Sequence, residues 1–428
     1  MDSIFAQATA TGRAGVSVIR LSGPQAFDIA RILCKLPAVG RTGLRAVRGR
    51  DGALIDQALV LCFEQGASFT GERVVEFQVH GGLATVAKLL SELSAQEGCR
   101  LAEPGEFTRR ALENGQLDLN QVEALSDLID AETESQRQQA IRVLDGRFGD
   151  AGEMWRGKLL RAAALLEASI DFSDEEIPDD LSVEVISLVE ETRASIVAIL
   201  ERSMMASKIR TGFTVAIIGA PNVGKSTLLN AIVGRQAAIT SDVAGTTRDV
   251  IECRVDLQGL AVSFLDTAGL RESEDEIENL GISKAYEMAA AADVRVFLVE
   301  EVGEPLPIAL RDGDIVRLNK GDERSSEVGT VSGKTGEGVS ELLSLIAKRL
   351  MVKTPQDVVA IRERQITGLR AAESFLGRVL ELTQADPLPF ELASQELYFA
   401  LSELDFVFGR IDIESVLDEI FSSFCLGK

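Results

Sequence analysis

Eight residues constrain this chain more than any other stretch: Gly219-Ala220-Pro221-Asn222-Val223-Gly224-Lys225-Ser226. They follow an apolar run, Thr214-Val215-Ala216-Ile217-Ile218, that reads as a buried strand, and precede Thr227-Leu228-Leu229-Asn230-Ala231-Ile232, the start of a helix. The spacing is G-x-x-x-x-G-K-S in the strand–loop–helix setting that gives this motif its meaning. Its glycines let backbone N–H groups curl around a phosphate, and the helix N-terminus adds the positive end of its dipole. Lys225 then reaches the β- and γ-phosphates, and the Ser226 hydroxyl is offered to Mg²⁺. Asn222, Val223, Gly224 and Thr227 belong to the same cradle. The element implies a phosphoryl-transfer site.

Four further elements follow in order. Asp266-Thr267-Ala268-Gly269 sits after the strand-like run Leu260–Leu265. Such an aspartate holds Mg²⁺ through water while the glycine N–H meets the γ-phosphate. Asn319-Lys320-Gly321-Asp322 ends the run Ile315–Leu318. The Asp322 carboxylate can accept from guanine N1–H and N2–H₂, a pair that adenine does not offer, so the element selects GTP. Ser332-Gly333-Lys334 completes the base pocket. Gly245-Thr246-Thr247-Arg248-Asp249 can supply a threonine to Mg²⁺ when the γ-phosphate is present.

Two positions sharpen the chemistry. Leu270 stands where Ras-like proteins carry a water-orienting glutamine, and leucine cannot orient a water. Glu278 is a candidate for that task, against the plainer reading of an exposed glutamate at an acidic helix start. The amide oxygen of Asn222 suits a monovalent cation beside the phosphates, with carbonyls from Ser241-Asp242-Val243-Ala244 folded over it; capping the loop is the alternative. A K⁺ ion there would neutralise charge as an arginine finger does.

Organisation along 428 residues suggests two to four domains. Val16–Leu21, Leu59–Phe63 and Val74–Val79 read as strands, and Leu83–Leu93 as a helix. From Leu117 apolar residues recur at helical spacing, through Gln136–Val143, Lys158–Ala168 and Val183–Met205, with a loop-like acidic break over Phe172–Asp180. Residues 208–350 alternate strands and helices, as a parallel α/β layer does. Val358–Gln384, Glu391–Phe408 and Ile413–Phe421 return to helix. The expected fold is multidomain: an α+β N-terminal domain (1–115), an all-α helical domain split in sequence (116–207 and 351–428), and an inserted α/β P-loop G domain (208–350). One oddity stands out. Val294–Val299 is followed by so short a stretch, with Pro305 and Pro307 inside it, that the helix of this crossover must be short or missing.

A net charge of −23 argues against a broad basic face for nucleic acid; if RNA is a substrate, a partner or a local patch supplies the cations. No apolar run approaches a membrane span. The N-terminus Met1-Asp2-Ser3-Ile4-Phe5 does not read as a secretory signal. Cys34, Cys62, Cys99, Cys253 and Cys425 form no C-x-x-C pair, which fits reduced thiols in a cytoplasmic protein.

Further motifs carry a resemblance along essentially the whole chain. They are Gly12-Arg13-Ala14-Gly15-Val16-Ser17-Val18-Ile19-Arg20-Leu21-Ser22-Gly23, Pro104-Gly105-Glu106-Phe107-Thr108-Arg109-Arg110-Ala111, Leu117-Asp118-Leu119-Asn120-Gln121-Val122-Glu123-Ala124, Ile170-Asp171-Phe172 and the ending Phe424-Cys425-Leu426-Gly427-Lys428. With the nucleotide elements, the chain resembles the tRNA modification GTPase family known as MnmE or TrmE. The resemblance implies an N-terminal domain that dimerises and binds a tetrahydrofolate derivative (5,10-methylene- or 5-formyl-). It implies a flavoprotein partner, MnmG (GidA), in a heterotetramer with the homodimer. It further implies an aminomethyl-type or carboxymethylaminomethyl group installed at C5 of the tRNA wobble uridine, and K⁺-dependent GTP hydrolysis stimulated when two G domains meet.

By position, the resemblance makes Asn222 the K⁺ ligand, with Ser241, Val243 and Thr246 completing the site. Ser226 and Thr247 match the Mg²⁺ ligands, and Glu278 the glutamate that orients the attacking water. Arg20, Glu76 and Lys428 match folate-contacting positions, as does Gln116, where many members carry a basic residue. Cys425 matches a near-terminal cysteine open to either one-carbon chemistry or a structural role. His80 sits in Gln78-Val79-His80-Gly81-Gly82 and reads as packing rather than catalysis. The short crossover departs from the family pattern. Two rival readings share the nucleotide motifs: an Era-like RNA-binding GTPase, which would append a basic domain, and a folate-regulated protein whose GTPase has decayed.

Overall fold

The computed structural model describes residues 2–171, 179–235, 251–266, 287–319, 329–352, 362–385 and 388–411, with Leu417, Ile420, Phe421, Phe424 and Gly427. The chain divides into two compact units, Met1–Ser126 with Leu404–Lys428, and Asp127–Glu403.

The first unit is built on a six-stranded sheet of β1 (Ser3–Gln7), β2 (Ala14–Ser22), β3 (Thr42–Arg48), β4 (Leu54–Phe63), β5 (Val74–Gly81) and β6 (Cys99–Leu101), in the order β3-β4-β5-β2-β1-β6. Only the β1–β6 pair is parallel. Pleating sends Val75, Phe77 and Val79 of β5 into a core shared with α1 (Ala26–Leu33) and α2 (Leu83–Ser94). Glu76, Gln78 and His80 alternate with them and take the other face. Helices α3 (Glu106–Glu113) and α4 (Leu119–Ile129) follow. Leu119 and Val122 of α4 pack with Ile420, Phe421 and Phe424, which tethers the end of the chain to its beginning.

In the second unit α5 (Glu134–Leu144), α6 (Arg147–Asp171) and α7 (Asp179–Thr211) precede an α/β layer, and α10 (Glu363–Leu382) and α11 (Phe390–Val407) follow it. Both α6 and α10 lie along α7. Trp155, Leu159, Ala162 and Leu166 make a buried stripe on α6 at helical spacing, and Leu369, Ala372, Leu376 and Val379 make one on α10. The acidic break read over Phe172–Asp180 is shorter than expected at its far end, since α7 already includes Asp179 and Asp180. The helix expected from Val358 begins at Glu363, where the Gln365 side chain accepts the Arg362 N–H (2.7 Å); residues 353–361 lie outside the described ones.

The α/β layer holds β7 (Phe213–Gly219), α8 (Lys225–Arg235), β8 (Ile251–Leu257), β9 (Leu260–Asp266), β10 (Val294–Val299), β11 (Ile315–Asn319), β12 (Thr330–Val331) and α9 (Val339–Val352). The sheet order is β12-β11-β10-β7-β9-β8. Every neighbouring pair is parallel except β8–β9. That pair is a tight hairpin. Its turn residues, Gln258 (φ 55°) and Gly259 (φ 86°), are both left-handed, the conformation whose twist matches two antiparallel strands.

Residues 300–314, between β10 and β11, contain no helix. Leu306 and Ile308 from this connection pack against Phe297 and Ala292 in place of one. A buried ion pair anchors it. Arg295 on β10 grips Asp314 with Nε at 3.0 Å, and the Asp314 carboxylate also accepts the Arg311 N–H at 2.8 Å.

Candidate functional site

The phosphate loop leaves β7 at Gly219 and enters α8 at Lys225. Two residues within it are left-handed, Asn222 (φ 64°) and Gly224 (φ 98°). Gly224 has a second constraint, because a Cβ there would stand 2.7 Å from the Asn319 amide nitrogen. At Gly219 a Cβ would run into the Leu298 carbonyl of the neighbouring strand. Close approach therefore requires glycine at both positions, and at Gly224 the left-handed backbone requires it too. The Lys225 ammonium is buried and lies across the loop, donating to the carbonyl oxygens of Gly219 (2.9 Å) and Ala220 (2.8 Å).

Strand register brings the remaining elements to the same edge. Asp266 ends β9 and pairs with Ile217 of β7, two residues before the loop begins. Asn319 ends β11, and its buried side-chain amide donates to the Val223 carbonyl, so the base-recognition element is tied directly to the phosphate loop. Sequence reading gave Asn319 a place in base recognition and missed this brace. Ser332 and Gly333 follow β12 and rest on the first turn of α8. A Cβ on Gly333 would come within 2.5 Å of the Leu228 backbone nitrogen and 2.6 Å of the Thr227 carbonyl carbon. The Ser332 hydroxyl accepts the Thr335 N–H (3.2 Å), which fixes the tight turn.

The structure thus gathers Asn222, Val223, Gly224, Lys225, Ser226, Thr227, Asp266, Asn319, Ser332 and Gly333 at the carboxyl ends of parallel strands, where α/β sheets bind ligands. Ser241, Asp242, Val243, Ala244, Gly245, Thr246, Thr247, Thr267, Ala268, Gly269, Glu278, Lys320 and Asp322 lie outside the described residues, as do Cys425 and Lys428.

A second cluster lies in the first unit. Arg20 on β2 and Glu76 on β5 face each other across the sheet, with the guanidinium Nε 2.9 Å from the carboxylate. The rings of Phe69 and Phe107 flank the guanidinium at 5.5 and 5.6 Å. A cation so placed keeps its orientation, and each contact adds about 0.5–1 kcal/mol. Gln116 packs beside the same turn, since a Cβ on Gly71 would lie 3.1 Å from its Cγ, and Asn114 donates to the Thr70 carbonyl at 2.7 Å. Gly427, left-handed and buried, lies against the Gln7 carbonyl at the end of β1. That sets Gly427 beside the strand that pairs with Arg20. Phe69 was not singled out by sequence; its position two residues before Gly71, in a turn facing Arg20, is a property of the fold.

His80, 77% exposed at its side chain, bonds through Nδ1 to the Asp56 carboxylate at 2.9 Å. It stands on the open face of the sheet rather than packed inside. Cys34, Cys62, Cys99 and Cys253 are free thiols. Burial pushes Cys34 and Cys99 up to about 11 and raises Cys62 and Cys253, so none of the four is a thiolate at neutral pH. No helix among the described residues is long and apolar enough to cross a membrane.

A family model described as the GTP-binding protein TrmE N-terminus matches residues 3–116. One described as the MnmE helical domain matches residues 119–425. The tRNA modification GTPase MnmE of Ruegeria sp. (strain TM1040) is 51% identical over 430 residues, covering 100% of both chains. Those of Ruegeria pomeroyi and Roseobacter denitrificans are each 52% identical, again over 100% of both chains. Among solved structures, the G domain of the T. maritima FeoB iron transporter is 24% identical, covers 32% of this chain and 98% of that one, and has a TM-score of 0.24. An alignment of 430 positions against 428 residues leaves room for about two extra residues in the first relative. The short β10–β11 connection is therefore shared with that relative and is not peculiar to this protein. The chain belongs to the MnmE (TrmE) family of tRNA modification GTPases.

Proposed function

We propose that this protein hydrolyses GTP and acts in the modification of tRNA wobble uridines. The observation that carries the reading is similarity to tRNA modification GTPases across the entire chain, joined to a phosphate loop braced by Asn319. Lys225 and the N–H groups of Gly224 to Thr227 hold the phosphates. Ser226, with Thr247, holds Mg²⁺. Asn222 is left-handed inside the loop, and it takes K⁺ with Ser241, Val243 and Thr246. The ion supplies positive charge beside the transferring phosphoryl group. Thr267, Ala268 and Gly269 meet the γ-phosphate, Glu278 orients the attacking water, and Lys320, Asp322 and Ser332 select guanine.

The Arg20–Glu76 pair suits a tetrahydrofolate derivative. A guanidinium within reach of two rings presents donors to a carboxylate or a pterin carbonyl, and a carboxylate accepts from pterin N–H groups. In this reading Gln116 and Lys428 complete that site, and Cys425 is the candidate for the one-carbon chemistry. A homodimer, a flavoprotein partner of the MnmG (GidA) type and a cytoplasmic location belong to the same reading.

The deciding experiment is mass spectrometry of tRNA nucleosides from cells lacking the gene and from the same cells with it restored. Loss of the C5 aminomethyl-type wobble uridines, recovered on complementation, is the expected result; an unchanged profile removes the tRNA reading. The cation assignment has its own check. Turnover of GTP should be faster in K⁺ than in Na⁺, and Asn222→Ala should erase the difference. Equal rates in both salts for the unaltered protein would dismiss the K⁺ site.

A further inference from the structure

The β8–β9 hairpin connects two distant places. At its open end, β8 begins just after the Gly245–Asp249 element and β9 ends at Asp266, so both strands lead to residues assigned to the γ-phosphate and Mg²⁺. Seven residues away, on the order of 20 Å, its turn rests on the start of α5. The Ser135 N–H donates to the Gly259 carbonyl at 3.2 Å. Arg254, midway along β8, places Nε 3.0 Å from the Glu132 carboxylate and reaches toward the Thr211 carbonyl at 3.4 Å.

The other side of α5 is fastened to the helical region. The Gln136 amide donates to the Arg210 carbonyl, and that of Gln139 donates to the Ala206 carbonyl, both at 2.9 Å. Both glutamines are buried and both acceptors lie in the last turns of α7. A displacement of the hairpin thus bears on α5, and through α5 on the carboxyl end of α7.

The junction is not packed shut. A cavity of about 520 Å³ lies among Asp127, Glu132, Gln139, Arg210, Thr211 and Arg254. Three buried polar atoms in its wall, Glu132 Oε2, Arg210 Nε and Arg254 Nε, make no aligned hydrogen bond. The Arg254–Glu132 contact is close enough for charge attraction yet off the hydrogen-bonding direction. Such a seam has room and spare polar capacity to settle in a second arrangement, which a close-packed apolar core lacks.

We infer that the β8–β9 hairpin is the lever by which the nucleotide site moves the helical region, with Arg254, Gly259, Glu132 and Ser135 as positioning residues at its fulcrum. The inference rests on the GTPase reading and names its conformational output. It has a direct test. A Cβ on Gly259 would stand 3.9 Å from the Glu134 Cβ, the spacing of a disulfide. In the full-length protein carrying Glu134→Cys and Gly259→Cys, the rate of disulfide formation should differ about tenfold between GDP and a non-hydrolysable GTP analogue, an ordinary size for coupling between sites. Equal rates would overturn the lever.

The oxidised pair should then keep GTP turnover while tRNA modification falls about tenfold, with recovery on adding reductant. Modification untouched by the cross-link, or turnover and modification falling together, would also overturn it. If the unaltered protein modifies no tRNA, the functional reading fails and the nucleotide dependence of cross-linking still decides the lever. Should the left-handed position 259 reject a side chain, Arg254→Met serves instead. It should cut modification per GTP hydrolysed with turnover preserved, and an unchanged ratio would count against the lever.

Discussion

Replacing Lys225 by alanine should lower GTP turnover by roughly two to three orders of magnitude, the usual cost of losing one preorganised positive donor at a site of developing charge. The side chain is buried and is aimed across the phosphate loop by the Gly219 and Ala220 carbonyls. A phosphate entering the loop competes for an ammonium already in place, so little reorganisation is needed at the moment of transfer. Lys225→Ala also frees two carbonyls from their donor, and some loss of stability accompanies the loss of rate. Thermal melting separates the two. A variant that melts within a few degrees of the parent yet fails in turnover locates the effect in catalysis. Turnover within about threefold of the parent would remove Lys225 from the chemistry.

The strand–loop–helix setting of this loop was legible in the sequence because every part of it is local. A strand, eight residues and a helix follow one another, and hydrophobic period plus glycine spacing define them without knowledge of the rest of the fold. The same holds for α6, where Trp155, Leu159, Ala162 and Leu166 announce a buried stripe. What was hidden depends on pairing. Asn319 reaches the phosphate loop only because β11 lies beside β10 and β10 beside β7, an order that a sequence separation of 96 does not reveal. The antiparallel β8 was hidden for another reason. Gln258-Gly259 is a weaker turn signal than Asn-Gly or Asp-Gly, and the run from Ile251 to Asp266 has no break long enough to separate two strands by eye. The Arg20–Glu76 pair was carried by resemblance alone. Its physical content, a guanidinium between Phe69 and Phe107, comes from three segments that only the sheet brings together.

The other large effect concerns the connection without a helix. Asp314→Ala should destabilise the α/β layer by about 3–5 kcal/mol, because it leaves the Arg295 guanidinium buried and unpaired. Side-chain exposure of the pair is 5% and 3%, and the Asp314 carboxylate also holds the Arg311 N–H and guanidinium. A crossover helix would hold its own backbone; here Asp314 organises the loop instead, with Arg295 also donating to the Ala309 carbonyl at 3.0 Å. A loss of that size corresponds to a fall of roughly 10 °C in melting temperature. The double replacement Arg295→Met with Asp314→Leu should recover most of it, since removing both charges removes the unpaired one.

The pH dependence has a definite sign. Burial alone would raise the Asp314 carboxyl, but hydrogen bonds from Arg295 and the Arg311 N–H, with both guanidinium charges, outweigh it and hold the group below the ordinary carboxylate value. Its contribution is therefore complete above the unfolded value of about 4 and disappears as pH falls through the lower folded value. The parent should lose its advantage over Asp314→Ala only in acid. Identical melting of Asp314→Ala and the parent at neutral pH would show that the loop is held by Leu306 and Ile308 alone. Because β11 carries Asn319, the consequence is not confined to stability. A loosened β11 slackens the brace on Val223, and GTP affinity should weaken in Asp314→Ala and return in the double variant, tying the short crossover to the nucleotide site.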